Sequence, residues 1–175
     1  MTLFRDFSII ITEFHEKRKT KMQACFIGHR KIEKREELIS SLKETIITLV
    51  DKGVTTFLFG SMGEFNELSW QIVTILKEKF PLIKRIYVRS AYPYIEKSYE
   101  EYLLTSYEET YFPPKLEKAG KYAYVERNYE MIDNSMYCIF YYNENYIPQS
   151  KRTSGTKIAY KYAIRKKKQI INLYK

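Results

Sequence analysis

The sequence predicts an α/β fold in which short buried strands alternate with single helices, and three observations carry that expectation. Apolar runs of strand length recur at Gln23–Ile27, Val54–Phe59, Leu82–Val88, Met136–Tyr141 and Gln169–Leu173. Stretches with helical spacing of apolar residues separate most of them. Glycines stand where elements should end, at Gly28, Gly53 and Gly60. A helix is the usual crossover between parallel neighbours, so this alternation implies parallel pairing. The expected architecture is a Rossmann-like three-layer sandwich with a five-stranded, mainly parallel sheet in the order 3-2-1-4-5.

The elements follow in order from Met22. The first strand ends in Gly28-His29-Arg30. The first helix, about Lys34 to Lys52, has Leu38, Leu42, Ile46, Leu49 and Val50 as its inner face, and Gly53 as its stop. The second strand breaks at Gly60. A helix from about Met62 to Lys79 presents Leu68, Ile72, Val73 and Leu76, with Pro81 just beyond. After the third strand, residues 89 to 121 are the least regular part, with three prolines and one helix expected around Glu96–Tyr107. A helix near Glu126–Asn134 leads to the fourth strand. A loop with Pro148 then reaches Thr153-Ser154-Gly155-Thr156, a helix to about Lys167 and the last strand. Residues 1–21 read as an appendage in which Phe4, Phe7, Ile11 and Phe14 share a helical face. Residues 22–175 form the domain.

Composition narrows the function. The chain has 175 residues, of which 45% are hydrophobic, enough for one domain with a full core. No apolar stretch approaches the ~20 residues of a membrane span. The run Ile9-Ile10-Ile11 is too short for a signal-peptide core, so a cytoplasmic protein without a membrane partner is expected. Cys25 and Cys138 lie in strand-like runs and read as buried free thiols. With only His15 and His29 besides, no metal site is expected, and no cofactor is implied. The net charge of +9 is unevenly spread. Nine Lys or Arg and no acid fall between Lys151 and Lys175, whereas Ile95 to Thr110 has five Glu against one Lys. A basic segment draws in phosphates, on a small ligand or on nucleic acid. Fourteen of the 17 tyrosines lie between Tyr87 and Tyr146, and such a surface is compatible with a homodimer.

In sheets of this order the ligand crevice opens outside the carboxyl ends of the central strands. Three turns collect there. Gly60-Ser61-Met62-Gly63-Glu64 joins a strand to a helix, where backbone amides favour an anion, although Ser61 and Glu64 also have capping-box spacing. Thr153-Ser154-Gly155-Thr156 sets hydroxyls and a glycine at a helix start, with Lys151, Arg152 and Lys157 adding positive potential. Capping explains one hydroxyl, Thr153 or Ser154, but not the surplus. In Gly28-His29-Arg30, the Arg can grip a phosphate with two parallel hydrogen bonds, and the His is a donor or a plain loop residue.

These stretches together resemble the SLOG superfamily, which takes in LOG-type phosphoribohydrolases and the DNA-processing protein A fold. The YpsA-like branch is the nearest in motif. The resemblance rests on Ala24 to Arg30, on Gly60 to Leu68, and on Ser154 to Lys157 followed by Ile170 to Leu173. It implies a nucleotide-binding frame in which Gly28, His29, Arg30, Gly60, Ser61, Met62, Gly63, Ser154, Gly155, Thr156 and Lys157 face the ligand. Glu126-Arg127 is similar to the phosphoribohydrolases' arginine-bearing helix, which adds Arg127 to the phosphate contacts. Their catalytic Glu would fall at Ala159, so only Glu67 or Glu126 is left to act as an acid. The leading expectation is binding of a nucleotide or nucleotide-derived small molecule, for sensing or sequestration. The alternative is hydrolysis of an N-glycosidic bond in a nucleoside monophosphate, and the third is single-stranded nucleic-acid binding.

Overall fold

The computed structural model describes residues 22–60, 63–148 and 153–175. The N-terminal appendage expected at 1–21 lies outside these residues, as do Ser61, Met62, Lys151 and Arg152. Strand β1 (Gln23–Gly28) alternates Ala24 and Phe26 toward one face with Cys25 and Ile27 toward the other. Helix α1 (Arg35–Asp51) buries Leu38, Leu42, Ile46 and Leu49 on the first face. It stops at Gly53, whose φ of 94° places it in the left-handed region. Strand β2 (Thr56–Phe59) and helix α2 (Glu64–Lys79) follow. Then come strand β3 (Lys84–Val88), helix α3 (Lys97–Leu104) and strand β4 (Glu109–Tyr111). Two 3-10 turns, Pro114–Lys118 and Gly120–Tyr122, lead into helix α4 (Ala123–Asp133). Strand β5 (Tyr137–Tyr141), helix α5 (Gly155–Arg165) and strand β6 (Gln169–Asn172) complete the described chain.

The sheet is parallel throughout, in the order β4-β3-β2-β1-β5-β6. It therefore has six strands where five were expected. The expected order survives as the inner five, and β4 is added outside β3. β4 escapes a reading of periodicity because it is three residues long and half exposed, with Glu108 before it and Pro113 after it. Its register is held by Arg85, whose backbone N–H (2.6 Å), Nε (3.2 Å) and Nη2 (2.7 Å) all donate to the Glu108 carboxylate.

The core has two layers. Phe26 stacks on Phe57 and Phe59 and meets Phe65 edge-on beneath α1 and α2. Burying each such ring contributes about 1.5–3 kcal/mol. On the other face, Ile27, Leu58, Val88 and Phe140 pack under Met131 of α4 and Ala159 and Ala163 of α5. The chain works outward from β1 to β4, then returns to lay β5 on the other side of β1. That reversal puts the ends of β1, β2 and β5 together at one edge, with α2 and α5 starting from it on opposite faces.

Candidate functional site

The turn after β2 is built around Arg127. This arginine projects from α4 to the carboxyl ends of β2 and β3, where its Nη1 donates to the Gly60 carbonyl and, at 3.5 Å, to the Val88 carbonyl. Its Nε donates to Asn128 Oδ1 at 3.1 Å, and its guanidinium stands 5.9 Å from the Tyr124 ring centre. The residue is 4% exposed, and among the described residues no carboxylate pairs with it. Burial pulls its pKa down to about 10, with Tyr87 and Tyr124 opposing. A Cβ at position 60 would lie 2.5 Å from the guanidinium carbon, so any larger residue there would displace the arginine. The Gly60 amide in turn donates to Asn66 Oδ1 at 3.1 Å.

The turns after β1 and β2 are in direct contact. Gly63 starts α2 with φ 89° and ψ 165°, a conformation open almost only to glycine, and a Cβ on it would lie 2.6 Å from Arg30 Cα. The Glu64 amide donates to the Arg30 carbonyl at 2.9 Å. The Glu64 carboxylate accepts from Lys31 Nζ at 2.6 Å and from the Ile32 amide at 3.1 Å. The hydrogen bond from Lys31 is the main reason its carboxyl sits below the usual range. Glu64 is thus the first residue of α2 and clamps the neighbouring turn, while the capping box expected with Ser61 lies outside the described residues. Arg30 and Lys31 are left exposed on the rim of an open pocket of about 510 Å³. Glu67, Asn66, Trp70 and Tyr107 line it as well.

His29 is placed differently from Arg30. Its ring is 4% exposed, 4.2 Å from the Tyr146 ring centre, and its Nε2 accepts the Asn143 amide at 3.0 Å. Burial lowers its pKa, in keeping with an unprotonated Nε2. This histidine ties the end of β1 to the loop after β5. Gly28 lies directly under the Phe65 ring.

The start of α5 is capped by a side chain of its own turn. Ser154 is the cap, its Oγ accepting from the Lys157 amide at 3.1 Å, while Thr156 is buried. A Cβ on Gly155 would meet no described atom within 4 Å. Packing therefore gives no reason for a glycine there, unlike at Gly28, Gly60 and Gly63. Ala159, one turn further, is 1% exposed in the apolar layer.

The fold thus brings Arg30, Gly63 and Glu67 into one pocket and sets Gly60 against Arg127. The Gly155 turn is at the same sheet edge by connectivity but does not line that pocket. Glu67 is exposed and accepts a 3.5 Å hydrogen bond from Gln71. Glu126 sits about 100° round the helix from Arg127 and does not line the pocket. Asn66, Asn143, Trp70 and Tyr107 are site residues that sequence reasoning missed. Asn66 lies inside a stretch that carried the resemblance, but nothing in its own spacing marks it as the holder of Gly60.

No family model matches the sequence, and no curated protein is detectably similar to it. Solved structures are informative. The structural-genomics protein TM1055 aligns with a TM-score of 0.53 and 14% identity, covering 85% of this chain and 71% of that one. DNA processing protein A from Helicobacter pylori, solved to explain its single-stranded DNA binding, aligns with a TM-score of 0.51 and 14% identity. That alignment takes in 86% of this chain and 64% of the other. The chain shares their fold. The likeness is one of architecture, with a six-stranded parallel sheet in place of the five strands expected. No helix among the described residues is long and apolar enough to cross a membrane.

Proposed function

We propose that the carboxyl edge of the sheet binds the phosphate of a nucleotide or nucleotide-derived small molecule. The observation that carries this is the buried Arg127 guanidinium, held under the Gly60 turn by carbonyls and the Tyr124 ring with no carboxylate paired to it among the described residues. An enclosed cation without a counter-ion is costly, and an anion at this edge offsets that cost. The amides starting α5 add a second group of donors at the same sheet edge, and Arg30 stands exposed on the rim of the pocket beside α2. In this reading Ser61, Met62, Gly63, Thr156 and Lys157 surround the ligand, and His29 supports the turn from beneath.

Binding is favoured over hydrolysis. Ala159 sits in the apolar layer, where a carboxylate would itself be buried without a partner. Glu64 is engaged by Lys31 and Ile32, which leaves Glu67 as the pocket's acid. The test is calorimetric titration with AMP, ADP-ribose and cyclic nucleotides. Saturable binding is expected, weakened about 10- to 100-fold in Arg127→Met, because charge-assisted hydrogen bonds contribute about 1.5–3 kcal/mol. Absence of binding at millimolar ligand would overturn the reading. Ligand cleavage seen by mass spectrometry, and lost in Glu67→Gln, would establish the hydrolase instead.

One observation supports a second reading, single-stranded nucleic acid. The fold is shared with a protein whose structure was solved for its single-stranded DNA binding, and α5 and the residues after it bear Lys157, Lys161, Arg165, Lys166, Lys167 and Lys168. Anisotropy of a labelled oligothymidine should then fall steeply between 50 and 200 mM salt, concentrations chosen to span about 10³-fold in affinity.

A further inference from the structure

The turn after β3, residues 89–94, carries two energetically costly features. Tyr92 has a φ of 57°, in the left-handed region, which a bulky side chain rarely adopts. Its ring gains nothing inside the protein, being 72% exposed, and Tyr94 is 87% exposed beside it. The turn is held in this shape by Arg89, whose Nη1 donates to the Tyr92 carbonyl and whose guanidinium lies 6.0 Å from the Phe112 ring centre. Arg89 Nε is itself buried with no hydrogen-bond partner among the described residues. Strain and an orphaned donor in one turn persist when another requirement holds the turn in place.

The turn's position supplies that requirement. Arg89 follows Val88, whose carbonyl accepts from Arg127, so the turn leaves the same end of β3 that Arg127 reaches. We infer that Tyr92 is the platform on which the aromatic base of the ligand stacks, with Arg89 positioning it. Tyr92 is thus the residue that takes the base of such a ligand. The inference rests on the phosphate-site reading above. A base stacked on an aromatic side chain needs a ring that is exposed before binding and fixed in direction. Tyr92 has an exposed ring on a backbone that Arg89 holds, which lowers the ordering cost on binding.

The test uses the full chain with two probes, AMP and ribose 5-phosphate, against wild type, Tyr92→Gly, Tyr92→Phe and Arg127→Met. Glycine accepts the left-handed conformation, so Tyr92→Gly is expected to fold and to melt about 2–4 °C higher. The same variant should bind AMP on the order of 10-fold more weakly and ribose 5-phosphate unchanged. Tyr92→Phe, which keeps the ring, should bind AMP as wild type does. Unchanged AMP affinity in Tyr92→Gly, or equal wild-type affinity for the two probes, would overturn the stacking platform. Weakening of both probes by Arg127→Met would leave the phosphate site standing in that case. If wild type binds neither probe, both inferences fall together.

Discussion

His29 and Gly63 illustrate how much a single position at this sheet edge is asked to do. The His29 ring is enclosed and accepts the Asn143 amide, and burial holds its pKa below the ordinary value of 6.5. As pH falls through 6.5 the unfolded chain takes up a proton that the folded ring resists, so stability declines on acidification until the folded ring itself titrates. Urea melts at pH 7.5 and 5.5 should show this loss in wild type and a smaller one in His29→Gln, whose amide oxygen still accepts a hydrogen bond. At Gly63 the backbone conformation and the closeness of Arg30 Cα act together. Gly63→Ala is expected to cost about 3 kcal/mol, read as a lower urea midpoint, since a glycine-only conformation and overpacking each cost about 1–3 kcal/mol. Neither role was legible in sequence. Gly63 stood out as a glycine before a helix, but its contact with Arg30 spans two turns 33 residues apart.

At the level of elements, the helices of the two layers were the most readable. Their apolar spacing is dictated by the face they bury, so α1, α2 and α5 lie close to where periodicity puts them. Strand β4 was not readable, because an edge strand buries little and needs no apolar run. It depends on a polar device, the Arg85–Glu108 pair, with Lys77 3.6 Å from the same carboxylate. Glu108→Ala is expected to cost about 2 kcal/mol, the half-exposed setting keeping it below the ~3–5 kcal/mol of a fully buried pair. Hydrogen exchange should show the loss concentrated in β4 and α3 while β1 and β5 stay protected. At the start of α5, Ser154→Ala should lower stability by about 1 kcal/mol in the same urea assay, through loss of the cap to Lys157.

Across the whole molecule the sheet is a rigid floor, and the functional residues are borrowed from both layers. Cys25 and Cys138 mark its centre. They are register partners on β1 and β5, free and buried, and the neighbouring thiol together with burial pushes the Cys138 thiol up. Both should resist a thiol-labelling reagent in the native protein and react at the rate of global unfolding, because no local opening exposes the central strands. Labelling of either thiol well below the urea midpoint would show that β1 and β5 separate before the rest.

Local pattern was enough to specify the alternation of strand and helix and the relative order of five of the six strands. Burial periodicity and glycine chemistry act over a few residues and can be seen in them. Pairings across long sequence distances could not be seen: Gly60 with Arg127, Arg30 with Gly63, and His29 with Asn143. Each depends on which loops the sheet order brings to one edge, and that order is an outcome of packing both faces at once. The strained turn at Tyr92 belongs to the same class, since its backbone angle is imposed by Arg89 and by the strand that ends before it.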